Sequence, residues 1–146
     1  MQYAKYDVPY LVNPYMSRAT VLLADDDKAL LEQVRRLLEP EFDVVAKITD
    51  GKALISAARQ LHPDLIVADI SMPCVNGFQA ARQIKQEQPD ARILFLSVHE
   101  EPVVVSEAIA MGVAGYVVKR SAAADLIPAL REVLQGRSFV SPAVRP

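Results

Sequence analysis

The stretch Pro63-Asp64-Leu65-Ile66-Val67-Ala68-Asp69-Ile70-Ser71-Met72-Pro73-Cys74-Val75-Asn76-Gly77 decides the fold. Pro63 ends the helical pattern before it. Leu65 to Ala68 is a short apolar run without alternation, which suits a strand buried on both faces, as in a parallel sheet. Asp69 stands where that run stops, and the Asn76-Gly77 turn signal follows. A lone acid at the carboxyl end of a buried strand sits where open α/β sheets bind ligands. Taken alone, Asp69 is equally well a solvated strand end or a helix cap, so the other strands must decide.

Working outward, strands and helices alternate. Thr20–Ala24 reads as a first strand. Asp25, Asp26 and Asp27 follow it, and then apolar residues recur at helical spacing from Ala29 to Leu38. Pro40 stops that helix. Phe42–Ile48 reads as a second strand, more polar and therefore an edge. Asp50 caps a helix carrying Ala53, Leu54, Ala57, Ala58 and Leu61. Phe78, Ala81 and Ile84 mark a third helix, ended at Gln88-Pro89-Asp90. Arg92–Val98 reads as a fourth strand with Ser97 near its end. Glu100-Glu101-Pro102 opens a fourth helix, closed by Gly112. Gly115–Val118 reads as a fifth strand ending at Lys119, and a fifth helix, capped at Ser121, runs to Gly136 with Pro128 in conflict inside it.

Five strands alternating with five helices predict a flavodoxin-like, doubly wound parallel sheet of order 2-1-3-4-5 with right-handed crossovers. The expected organisation is an irregular N-terminal arm over 1–18, one domain over 19–136, and an irregular tail or linker start over 137–146. The arm holds Tyr3, Tyr6, Tyr10 and Tyr15; its readings are an addition upstream of a start at Met16, or tyrosines that dock on the domain or a partner.

Composition narrows the function classes. The 146 residues carry a formal net charge of −2, with 51% hydrophobic and 23% charged residues, which is ordinary for a soluble single domain. No basic stripe marks a nucleic-acid surface. No run is long and apolar enough to cross a membrane, and no secretory leader stands at the N-terminus. Cys74 is the sole cysteine, which excludes an intrachain disulfide and a thiol zinc cluster. The expected location is the cytoplasm.

The strand ends then supply the chemistry. The first gives Asp25 and Asp26, the third Asp69, the fourth Ser97 and the fifth Lys119. In the 2-1-3-4-5 order these converge on one crevice. Clustered carboxylates repel unless a cation or proton offsets them, and an oxygen-only set favours Mg²⁺. A cation, a lysine and a hydroxyl together stabilise a transferring phosphoryl group, and a carboxylate can accept it. Each residue has a plainer reading (an N-cap cluster, an idle serine, a surface lysine), but all fall at the same end of their strands.

As a set, Leu22–Asp26, Asp64–Pro73 with Asn76-Gly77, Leu94–Ser97 and Gly112–Lys119 resemble the receiver domain of bacterial two-component response regulators, of the type that precedes a helix-turn-helix DNA-binding domain. The likeness covers about Ala19 to Gly136. It implies that Asp69 is the phosphoacceptor for a sensor histidine kinase. It implies that Asp26, Asp69 and the Ser71 backbone carbonyl bind Mg²⁺, with Asp25 acting mainly through water. It also implies that Ser97 and Lys119 bind the phosphoryl group and that Tyr116 is an aromatic switch coupled to Ser97. The likeness further implies that Ser71 and His99 are the positions that tune dephosphorylation. Output is expected on the surface of helix 4, strand 5 and helix 5, which is also the expected homodimer face.

Two features depart from the family pattern. Arg120 stands where many receivers have a cis proline. Asp27 lengthens the acidic run, but Asp25 and Asp26 abut the strand and are the preferred metal pair. With few residues after the last helix, the reading is a receiver alone, without nucleic-acid binding of its own. Two other readings compete: a haloacid-dehalogenase-like phosphohydrolase with Asp25 as nucleophile, and a phosphorylation-independent interaction module. The hydrolase lacks a late acidic pair, since no acid follows the fifth strand until Asp125.

Overall fold

A computed structural model describes residues 18–146. The expected N-terminal arm lies outside the described residues, apart from Arg18. The elements are β1 (Thr20–Ala24), α1 (Lys28–Leu38), β2 (Asp43–Ile48), α2 (Gly51–Leu61), β3 (Leu65–Ala68), α3 (Gly77–Glu87), β4 (Ile93–Ser97), α4 (Pro102–Ala110), β5 (Gly115–Val118), α5 (Ala122–Leu134) and β6 (Phe139–Val140). All pairings are parallel, in the order β2-β1-β3-β4-β5-β6. The first five strands take the expected order.

Strand periodicity divides the core into two layers, because successive side chains point to opposite faces. Leu22, Ala24, Ile66, Ala68, Ile93, Phe95, Tyr116 and Val118 pack under α2, α3 and α4. Val21, Leu23, Leu65, Val67, Leu94, Leu96 and Val117 pack under α1 and α5. This double burial explains why the central strands read as unbroken apolar runs. Only β2 alternates between exposed and half-buried positions, as an edge strand should.

The helix starts follow the sequence closely. Asp27 accepts from the Ala29 and Leu30 amides, and Asp50 accepts from Ala53 at 2.7 Å. Asn76 and Gln79 form a reciprocal capping box at α3. Replacing Asp50 with Ala removes a cap bond, so Asp50→Ala should lower stability by about 1 kcal/mol in urea unfolding with an unchanged slope. Gly112 closes α4 at φ +90°.

Three places differ from the sequence reading. Pro128 does not delay the start of α5: the helix begins at Ala122 and runs through it. Pro128 and Ala124, whose carbonyl loses its partner, are both exposed, which leaves that carbonyl on the solvent side. Ser121 makes no capping bond to α5; Lys119–Ser121 is instead a 3-10 turn. The tail is not irregular. Phe139–Val140 pairs with Gly115 and Tyr116 as a sixth strand, followed by a 3-10 turn at Pro142–Val144. The outer edge of β5 is apolar, and its buried backbone groups require partners.

Candidate functional site

Register places the site residues level with one another. Ala24 pairs with Ala68, so Asp25 and Asp69 emerge side by side from β1 and β3. Ser97 pairs with Val118, so Lys119 lies one residue beyond Ser97. The ladder continues into the site, with the Asp69 amide donating to the Ala24 carbonyl at 2.9 Å.

Asp25 and Asp69 are buried, at 3% and 5% exposure, and Asp26 is exposed. One carboxylate oxygen from each lies within 4.8 Å of the others. Lys119 reaches into this cluster, its Nζ 2.7 Å from Asp25 Oδ2 and 3.2 Å from Asp69 Oδ2. The remaining oxygens are held by main chain: Asp25 Oδ1 accepts from the Asp27 amide and Asp69 Oδ1 from the Ile70 amide, at 2.9 and 2.8 Å. Burial pushes the Asp25 carboxyl up despite its bond to Lys119. Burial alone would lower the Lys119 ammonium, but Asp25 and Asp69 outweigh it and hold it above the usual lysine value. The donor set is entirely oxygen, clustered and negatively charged, and it fits a hard divalent cation. An open depression lined by Asp26, Ile70, Ser71, Met72, Pro73 and Asn76 lies alongside. Asp27 is committed to capping α1, which favours the Asp25–Asp26 pair over Asp26–Asp27.

Two glycines hold the frame. A Cβ on Gly77 would lie 2.2 Å from the Asp69 carbonyl oxygen, and one on Gly51 would lie 1.8 Å from the Val75 carbonyl oxygen. Both glycines let helices press against the loop that follows β3.

The other predicted residues form a second group joined through His99. Ser97 is fully buried, and its Oγ accepts from the His99 amide at 3.0 Å. Tyr116 faces inward and donates its hydroxyl to the His99 carbonyl at 2.7 Å. Burial raises the Tyr116 phenol above its usual value, keeping it a donor. The His99 ring lies 3.2 Å from Ser71 Oγ and 3.5 Å from Glu101 Oε1. The structure thus brings Asp25, Asp26, Asp69, Ser97, Lys119, Tyr116, Ser71 and His99 to one end of the sheet.

Sequence reasoning missed the supports of the Lys119 turn. Arg120 makes a two-point contact with Glu100, both at 2.7 Å, joining the loops after β4 and β5. Asp125 and Ser141 hold the other side of the turn. No local pattern marks these long-range contacts. Among the described residues every peptide bond is trans, including the one before Arg120.

The chain as a whole is similar to known proteins. The family model described as the response regulator receiver domain matches residues 21–131. The chain belongs to the response regulator receiver family. The receiver is 37% identical over 130 residues to the transcriptional regulatory protein DegU of Brevibacillus brevis, covering 88% of this chain and 55% of that protein. It is 36% identical over 132 residues to the nitrate/nitrite response regulator protein NarL of Escherichia coli K12, covering 88% and 60%. Among solved structures, a LuxR-family two-component response regulator from Aurantimonas sp. SI85-9A1 aligns with a TM-score of 0.84 at 35% identity, covering 88% of this chain and 93% of that one. The isolated REC domain of RcsB from Salmonella enterica serovar Typhimurium, solved with phosphomimetic BeF3-, aligns with a TM-score of 0.82 at 28% identity, covering 88% and 96%. The chain spans 55% to 60% of the length of these two curated relatives. Receiver membership sets aside the hydrolase reading, and the receiver family is a phosphoacceptor switch rather than a conventional enzyme. No helix among the described residues is long and apolar enough to cross a membrane.

Proposed function

We propose that Asp69 accepts a phosphoryl group from a sensor histidine kinase and that the modified receiver acts as a signalling switch in transcription control. The observation that carries this reading is the buried Asp69 carboxylate, 3.2 Å from Lys119 and clustered with Asp25 and Asp26. An Asp69 carboxylate oxygen forms the new O–P bond. The P–N bond of the phosphohistidine donor breaks, and its electron pair returns to the imidazole, which takes a proton from solvent.

Asp25, Asp26 and Asp69, with the Ser71 backbone carbonyl, would hold Mg²⁺, which would supply positive charge against the phosphoryl oxygens. Lys119 neutralises further charge and orients the group. The buried Ser97 hydroxyl, whose Oγ accepts from the His99 amide, would turn its proton toward it. Because the His99 backbone touches both Ser97 and Tyr116, a shift of Ser97 is passed to Tyr116 and the α4–β5 surface. Ser71 and His99, in contact across two loops, control water access and so the lifetime of the phosphoryl group.

The functional unit is residues 19–136, with 137–146 packed against it. Any homodimer through α4, β5 and α5 must include β6, which lines that face. DNA binding is assigned to no part of this chain.

Incubation with acetyl phosphate and Mg²⁺ should add one phosphoryl group, read by intact-mass measurement, and EDTA should suppress it. An unmodified chain in excess donor would sink the reading.

A further inference from the structure

We infer that Ser141 is a positioning residue for Lys119, so that docking of the C-terminal strand and phosphoryl binding at Asp69 support each other. The inference rests on Lys119 being a phosphoryl ligand. Ser141 lies close to the end of the chain, yet it is fully buried. β6 contributes only Phe139 and Val140 to the ladder, and beyond them the Ser141 side chain takes over the role of main chain. Its amide donates to the Tyr116 carbonyl at 2.8 Å. Its hydroxyl accepts from the Val118 amide at 3.1 Å and donates to Asp125 Oδ2 at 2.8 Å. Val118 is the residue immediately before Lys119.

The far end of the turn is held by the same carboxylate. Ser121 Oγ donates to Asp125 Oδ2 at 2.8 Å. Lys119 therefore stands between two points, Val118 and Ser121, both tied to Asp125, one of them through Ser141. Hydrogen bonds to a carboxylate are stronger than neutral ones. A lysine ammonium on a flexible stem depends on its backbone for aim. With the tail docked, Lys119 already lies between Asp25 Oδ2 at 2.7 Å and Asp69 Oδ2 at 3.2 Å. The docked strand is thus the arrangement that serves the acceptor, and the coupling is positive. Nothing in the chemistry at Asp69 itself calls for Ser141 or Asp125, and both lie outside the acidic cluster.

The probe is beryllofluoride with Mg²⁺, titrated onto the full chain. Ser141→Ala should weaken its binding at least about fivefold, the lower end of typical coupling between sites. In a Lys119→Ala background the same change should have no further effect, because non-additivity reports a shared route. In the unsubstituted chain, saturation should slow amide exchange at Val118 and Ser141 by the reciprocal factor. A mere loss of stability on Ser141→Ala would move neither the background dependence nor the exchange in the unsubstituted chain. Equal weakening in both backgrounds, or exchange that ignores the adduct, overturns the coupling alone. If beryllofluoride fails to bind the unsubstituted chain, the phosphoacceptor reading falls and this inference with it.

Discussion

Asp69→Asn should abolish phosphoryl transfer from acetyl phosphate while leaving the fold intact. The amide is isosteric, so it keeps the packing at the end of β3 and can still accept from the Ile70 amide, now 2.8 Å from Oδ1. It lacks the nucleophilic oxygen pair and the charge that attracts Lys119 and a cation. Intact-mass measurement should show no added phosphoryl group at donor concentrations that fully modify the parent. Unfolding should show unchanged or greater stability, because one of the clustered carboxylates is gone and Lys119 keeps Asp25 at 2.7 Å. Labelling of the Asp69→Asn chain as strong as the parent's would remove Asp69 from its assigned role. Labelling that moved to Asp25 would instead identify a cluster with interchangeable nucleophiles.

Gly77→Ala should damage both stability and phosphoryl transfer, because its clash falls on the backbone of Asp69 itself. The added Cβ would fall 2.2 Å from the Asp69 carbonyl oxygen and 2.7 Å from the Ile70 Cα. Both obstacles are backbone, so no side-chain rotation relieves them. Either α3 moves away from β3 or Asp69 shifts. Overpacking of this kind costs about 1–3 kcal/mol, and more where backbone must move. Urea unfolding should show at least that loss, and acetyl phosphate labelling should fall even at temperatures where the variant stays folded. Stability and labelling both equal to the parent's would mean that the α3–β3 contact is looser than its geometry.

Much of this was legible in the sequence because the signals are local. Leu65–Ala68 advertises a doubly buried strand by composition alone, and the register of parallel strands then makes any residue just past a strand end a neighbour of the others. That is why Asp25, Asp69, Ser97 and Lys119 could be gathered without coordinates. The switch role of Tyr116 came only from family likeness, and its inward aim was not legible at all, since a period-two pattern gives a face but no rotamer. The two-residue β6 has no period to read. The Asp125–Ser141 bond and the Arg120–Glu100 pair link residues 16 and 20 positions apart, beyond any helical or strand spacing. Pro128 misled in the other direction: a proline is expected to interrupt a helix, yet α5 runs through it, with Pro128 and Ala124 on the exposed side.

The sixth strand also bears on how the protein behaves in concentrated solution. β2 closes one side of the sheet with Asp43 and Lys47 exposed along it, charges that discourage another chain from adding on. The opposite side ends in Gly-Tyr-Val-Val of β5, four buried residues with no charge among them. Left bare, that strand would be an adhesive rim, ready to pair with its counterpart in a second molecule. Phe139–Ser141 covers it and leaves a two-residue strand as the edge, too short to offer a second molecule much of a template.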